Sequence, residues 1–231
     1  MIFVPFRIHS GLSMILFEMV QKKSEVPEKR GRGRPRQYNP DRALADAADT
    51  FWNNGYAATS LDDLVAATGM NRPSLYAAFG DKSDLYLRTL ERYRDQSRTL
   101  ALEMLTDDPT LRVYLGRFYD KALDIYLAGD ERARGCYIIT TAATQATLDS
   151  AVRTFLAESI RRTEAFLCGL IAKARDRGEI DSNADPAALA QLATATLHTL
   201  AVRSRAGISR KQLSGLARAA IDVICKPKSG Q

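Results

Sequence analysis

The chain has 231 residues, 45% of them hydrophobic and 26% charged, with a formal net charge of +6. This is the balance of a soluble globular protein, long enough for one large or two small domains with a real core. Cys136, Cys168 and Cys225 stand apart, with no CxxC and no nearby histidine pair, which argues against a disulfide framework and a zinc site and for a reducing cytoplasm. No run approaches the roughly 18 apolar residues that span a bilayer. An enzyme is disfavoured as well: there is no phosphate loop, no HExxH and no nucleophile elbow, and the histidines are His9 and His198 alone. No cofactor or metal is expected.

Residues 1–20 are fairly apolar, but Arg7, His9 and Gly11 interrupt them and no small-residue cleavage site follows, so they do not read as a secretory signal. Translation is expected to begin at Met14 or Met19. Residues 22–36 hold seven basic side chains against Glu25 and Glu28, a net +5. The rest of the chain keeps 26 basic and 25 acidic residues, so nearly all the basicity lies in one Gly- and Pro-rich arm. Within it, the run Arg32-Gly33-Arg34-Pro35-Arg36 resembles an AT-hook, whose arginines lie in the narrow, strongly negative minor groove of A·T-rich DNA. That resemblance makes Arg32, Arg34 and Arg36 candidate DNA contacts.

Asn39-Pro40-Asp41 is a helix start: a cap, a proline at the first position and an acid in the first turn. Leu44, Ala48, Phe51 and Trp52 follow at helical spacing, and Gly55 closes the helix. Trp52, the sole tryptophan, is expected to hold this helix against the next two, with Tyr56 under the turn. Residues 59–82, TSLDDLVAATGMNRPSLYAAFGDK, read as two short helices about a tight turn. Ser60 caps the first, with Asp63 as its capping-box partner. Gly69 ends it where a left-handed step costs little. Asn71 caps the second, and Pro73 is tolerated because it lies in the first turn. This is the layout of a DNA-reading helix-turn-helix.

The stretch from 38 to 93, above all Gly55-Tyr56, Thr59-Ser60-Leu61, Gly69 and Leu75-Tyr76-x-x-Phe79 with Lys82 three residues on, resembles the DNA-binding domain of TetR-type (TetR/AcrR) transcriptional regulators. The resemblance implies an all-α protein in three parts. Residues 1–37 are a disordered leader and arm, 38–84 a three-helix helix-turn-helix domain, and 85–226 a larger helical ligand-binding and dimerisation domain. It also implies roles. Arg72, Pro73 and Ser74 open the recognition helix and face base edges; the planar fork of Arg72 suits guanine O6 and N7. Thr59, Tyr76 and Lys82 hold phosphates. Ala78 stands where the family often carries His or another polar residue. Between positions 41 and 94, eight acids face six bases, so the arm is expected to supply most of the electrostatic affinity.

The remainder reads as helices throughout. Asp81 caps one running from 82 to about 105, Asp108-Pro109 opens one ending near 129, and a charged loop follows. A short helix over 136–146 comes next, then one from Asp149 to about 177, one from Asp185-Pro186 to about 205, and a last from Ser209 to 224. The final two are rich in Ala and Leu, and in the family such a pair forms a four-helix bundle with its twin. Tyr114, Phe118, Tyr126, Cys136, Tyr137, Thr140, Phe166 and His198 are the candidate ligand pocket. Cys136, beside Arg132 and Arg134, is also a candidate thiol sensor with a lowered pKa. The expected function is that of a cytoplasmic, homodimeric repressor on a palindromic double-stranded operator, released by a small effector. The alternative is an architectural DNA-binding protein that senses nothing.

Overall fold

Each helix starts where a short polar side chain meets the first free backbone N–H groups. The structure, a computed structural model, describes residues 39–129 and 132–226; the leader and the arm, with Arg32, Arg34 and Arg36, lie outside them. Asn39 accepts from the backbone N–H of Asp41 and Arg42 to start α1, Pro40–Asn54. Ser60 and Asp63 close a full capping box at α2, Leu61–Thr68, and Gly69 ends it at φ 65°. Asn71 starts α3, Arg72–Phe79, by accepting from Ser74 N–H. Asp81 and Asp84 form a second capping box at α4, Lys82–Glu103. Such a cap stabilises its helix by about 1 kcal/mol.

α5, Leu111–Leu127, begins later than its sequence suggested, because Thr110 is the cap and Asp108-Pro109 is not. Asp108 sits at φ 46° and turns its carboxylate to Lys173 and Arg177. The expected short helix after the charged loop is a π-helical turn, Ile138–Ala142, running into a last turn, α6, Ala143–Gln145. α7, Ser150–Asp176, is capped by Asp149; α8, Pro186–Arg205, by Asp185; and α9, Arg210–Ile224, by Ser209. Among the described residues the chain is helical throughout, with no strand.

Residues 39–226 belong to one compact unit. In the reader, Ala47, Phe51, Leu64, Leu75 and Phe79 fill the space between α1, α2 and α3. Leu85 and Tyr86 of α4 close that core from above, with Tyr86 edge-on to Phe51 at 5.0 Å. α8 packs against α5, α7 and α9, with Leu115, Leu123, Leu167, Ala193, Leu200 and Ile221 between them.

Trp52 departs from its expected place. It packs edge-on to Tyr93 of α4 at 5.2 Å and tilted on Tyr137 at 5.5 Å, so its ring contacts come from α4 and the 134–141 segment. Its indole N–H donates to the carbonyl of Arg134 at 3.2 Å, and the Arg134 guanidinium lies 4.4 Å over its ring while pairing with Asp49 at 2.9 Å. The following segment ties on to α4: Tyr86 bonds Thr141 at 2.6 Å and Thr89 bonds Tyr137 at 2.7 Å. Gly135 makes this approach possible, since at its φ of 68° a Cβ would sit 2.7 Å from the carbonyl oxygen of Ala201 on α8. Residues 134–141 thus join the reader to the bundle.

Candidate nucleic-acid interface

The glycine stop at Gly69 and the Asn71 cap set α3 across α2 with its first turn outward. Leu75 and Phe79 are buried, so the opposite side of α3 faces solvent. Arg72, Pro73 and Tyr76 are exposed there, Tyr76 at 45%, and Ser74 is half-buried with its N–H held by Asn71. Arg72 and Tyr76 are one turn apart, on one side of the helix. Ala78 is half-buried, and its carbonyl accepts from Arg88.

Arg72 is engaged from below. Its Nη2 donates to Asp62 Oδ1 of α2 at 2.6 Å, and this bond raises the guanidinium pKa further. Asp63, by contrast, is consumed in the capping box: the backbone and hydroxyl of Ser60 hold its carboxyl below the usual range. Lys82 opens α4 with its Nζ 4.3 Å over the Tyr56 ring, where burial lowers its pKa. It remains beside the reader but half-buried.

Thr59 is a correction. Its side chain is buried and its hydroxyl donates to the Gly55 carbonyl at 2.7 Å, so that hydroxyl is committed to closing the α1–α2 turn and does not face a phosphate.

The eight residues expected to line one ligand pocket fall into separate groups. Tyr114, Phe118 and Phe166 meet on α5 and α7, with Tyr114 stacked on Phe118 at 5.8 Å and 6.2 Å from Phe166. A cleft of about 30 Å³ beside Tyr114, under Leu105 and Leu170, has room for about one water. Cys136, Tyr126 and Tyr137 are buried at the joint with Tyr93 and Trp52. Thr140 turns back to its own backbone, bonding the Cys136 carbonyl at 2.6 Å. His198 is half-buried on α8, where burial lowers its pKa against the opposing pull of Glu164.

The expected low pKa of Cys136 is overturned. The thiol is buried, the Tyr93 hydroxyl reaches its sulfur at 3.8 Å, and burial pushes its pKa up. Arg134, its neighbour in sequence, points instead to Asp49 and Trp52. Asp49 and Asp62 were absent from the residues singled out by sequence, and Arg134 was named only as a neighbour of Cys136. Only the i, i+10 separation of Asp62 and Arg72 across a helix-turn-helix offered a signal.

An exposed recognition helix on a three-helix reader, set on a larger helical body, defines a helix-turn-helix transcriptional regulator. The comparisons agree. A family model described as bacterial regulatory proteins, tetR family, matches residues 43–89, and one for a tetracyclin repressor-like C-terminal domain matches residues 114–220. The HTH-type transcriptional repressor ComR of Escherichia coli K12 is 30% identical over 190 residues, 82% of this chain and 90% of that protein. The HTH-type regulator YezE of Bacillus subtilis 168 is 32% identical over 161 residues, 69% of this chain and 82% of that one. Among solved structures, a cysteine mutant of CifR complexed with 26 bp double-strand operator DNA is 28% identical, with a TM-score of 0.74 over 81% of this chain and 98% of that one. The chain belongs to the TetR family of transcriptional regulators.

Proposed function

We propose that the protein is a cytoplasmic repressor that binds a palindromic operator as a homodimer and leaves it when a small effector binds. The observation that carries this reading is the outward face of α3, where Arg72, Pro73 and Tyr76 are exposed while Leu75 and Phe79 anchor the helix. Arg72 to a guanine, Ser74 at the same helix start, and Tyr76 with Lys82 on phosphates make one half-site. The operator-bound CifR and the repressor ComR support the same assignment by kinship.

Dimerisation is supported by α8 and α9. They leave a shallow apolar groove lined by Leu192, Thr196, Leu216, Ala220 and Val223, with Val223 60% exposed. A twin helix pair laid into this groove would bury it and space two recognition helices about one turn of DNA apart. The arm adds Arg32, Arg34 and Arg36 in the neighbouring minor groove. Since the folded reader between 41 and 94 is net −2, deleting residues 1–37 should flatten the salt dependence of operator binding far more than Lys82→Ala.

Footprinting on the DNA upstream of the gene, repeated with candidate effectors, tests the reading. A short protected palindrome that clears with an effector is the expected result. A sequence-tolerant footprint with no effector response would make the protein architectural.

A further inference from the structure

Asp62 is the least expected charge on the reading face. It is an exposed carboxylate on α2, in a reader that must approach phosphates, and it has no part in the capping box that uses its neighbour Asp63. What it does hold is Arg72: one Nη2–H donates to Asp62 Oδ1 at 2.6 Å, with 55% of the Arg72 side chain and 76% of the Asp62 side chain still exposed.

We propose that Asp62 is a positioning residue for sequence readout, fixing the Arg72 fork in the orientation that reads one guanine in each half-site. The inference rests on the regulator reading above and names the residue that sharpens it.

Arginine has five N–H donors in a rigid plane, and a single bond to Asp62 leaves four of them for a base edge. A guanine needs two, on O6 and N7. An arginine at the first position of a helix is otherwise a long, freely rotating side chain with a phosphate backbone close by. Unheld, it would bind phosphates as readily as bases, and so add affinity without adding discrimination. The carboxylate corrects both faults at once. It holds the fork by one edge, and its own negative charge keeps that spot from resting against a phosphate. Pro73 supports this from the other side, since its ring fixes the backbone next to Arg72 at the start of α3. Tyr76, one turn on, is left for the backbone contact.

The experiment is selection of binding sites from random double-stranded DNA by the full-length wild type, Asp62→Asn, Arg72→Ala and Arg72→Lys, with the melting temperature of each recorded. The wild type should select a palindrome with one invariant guanine per half-site. Arg72→Ala and Arg72→Lys should lose the preference at that position. Asp62→Asn should lose at least about fivefold of the preference at the same position while binding random DNA more tightly, with its melting temperature unchanged. The proposal is overturned if Asp62→Asn gains affinity equally for every sequence and keeps the guanine, which would make Asp62 a simple electrostatic brake. A change at a different base position overturns it too, since Asp62 would then read a base directly. A wild type that selects no motif overturns the regulator reading along with it. A wild-type palindrome whose guanine survives in Asp62→Asn sinks only the inference.

Discussion

Two arginine–aspartate pairs frame the reader, and they are built for different work. Arg134 and Asp49 meet at 2.9 Å with only 24% of the arginine side chain exposed, the guanidinium lying on Trp52. Arg72 and Asp62 meet at 2.6 Å on open surface. The first pair is backed by aromatic rings and by a hydrogen bond from Trp52 to the same residue's carbonyl, so it holds α1 to the bundle. The second has water on most sides, and such a pair adds little to stability. What it has instead is donors free to meet a partner. Ion pairs of the same chemistry thus differ by what surrounds them: one fastens the reader, the other leaves guanidinium donors on its surface.

The largest effect is expected from Trp52→Ala. It removes the ring that Tyr93, Tyr137 and Arg134 all pack on, and should cost about 3–5 kcal/mol in urea-unfolding free energy. Next comes Arg134→Ala, which loses the cation–ring contact and the Asp49 pair and should cost about 1–2 kcal/mol in the same measurement. Arg72→Ala should change unfolding free energy by less than about 0.5 kcal/mol, because its pair is solvated. If Arg72→Ala cost as much as Arg134→Ala, the distinction between the two pairs would fail.

The joint should also show itself in its alkaline behaviour. Burial raises the Cys136 thiol, and it raises the hydroxyls of Tyr93, Tyr126 and Tyr137 together with Tyr86, the last to about 12. In the unfolded chain these groups ionise at about 8.5 for the thiol and about 10 for the phenols. Between those values and the raised ones the folded state keeps protons that the unfolded state loses. Stability is therefore full below about pH 8.5 and falls as the pH rises toward the folded values. Urea midpoints taken from pH 8 to pH 10.5 should decline steadily. A flat series would mean that the joint is open to water.

Much of this was legible in sequence where the determinant is local. Ser60 with Asp63, Asn71, Asp81 and Ser209 each cap the helix their position foretold, since the capping partner lies within three residues. Legibility fails where the partner is distant. Asp108 looked like a helix start but is held by Lys173 and Arg177 from the end of α7. Trp52 had the right periodicity for burial, yet its partner Arg134 lies 82 positions away, so its direction was hidden. Cys136 was judged by Arg132 and Arg134, its neighbours along the chain, whereas its environment is Tyr93 and Tyr126. On the reading face, exposure of Arg72 and Tyr76 followed from the burial of Leu75 and Phe79. The engagement of Arg72 by Asp62 depended on how the glycine turn sets two helices, which spacing alone does not give.

On the proposed reading, the outer face of α3 chooses the DNA sequence. Hydroxyl-radical footprinting of wild type and Arg72→Ala on the upstream DNA, at matched salt, tests it most directly. The wild type should protect two patches related by a dyad and about one helical turn apart, and Arg72→Ala, which loses one contact in each half-site, should need at least about 30-fold more protein for the same protection. Equal protection by the two proteins at equal concentration would mean that Arg72 takes no part in choosing the sequence.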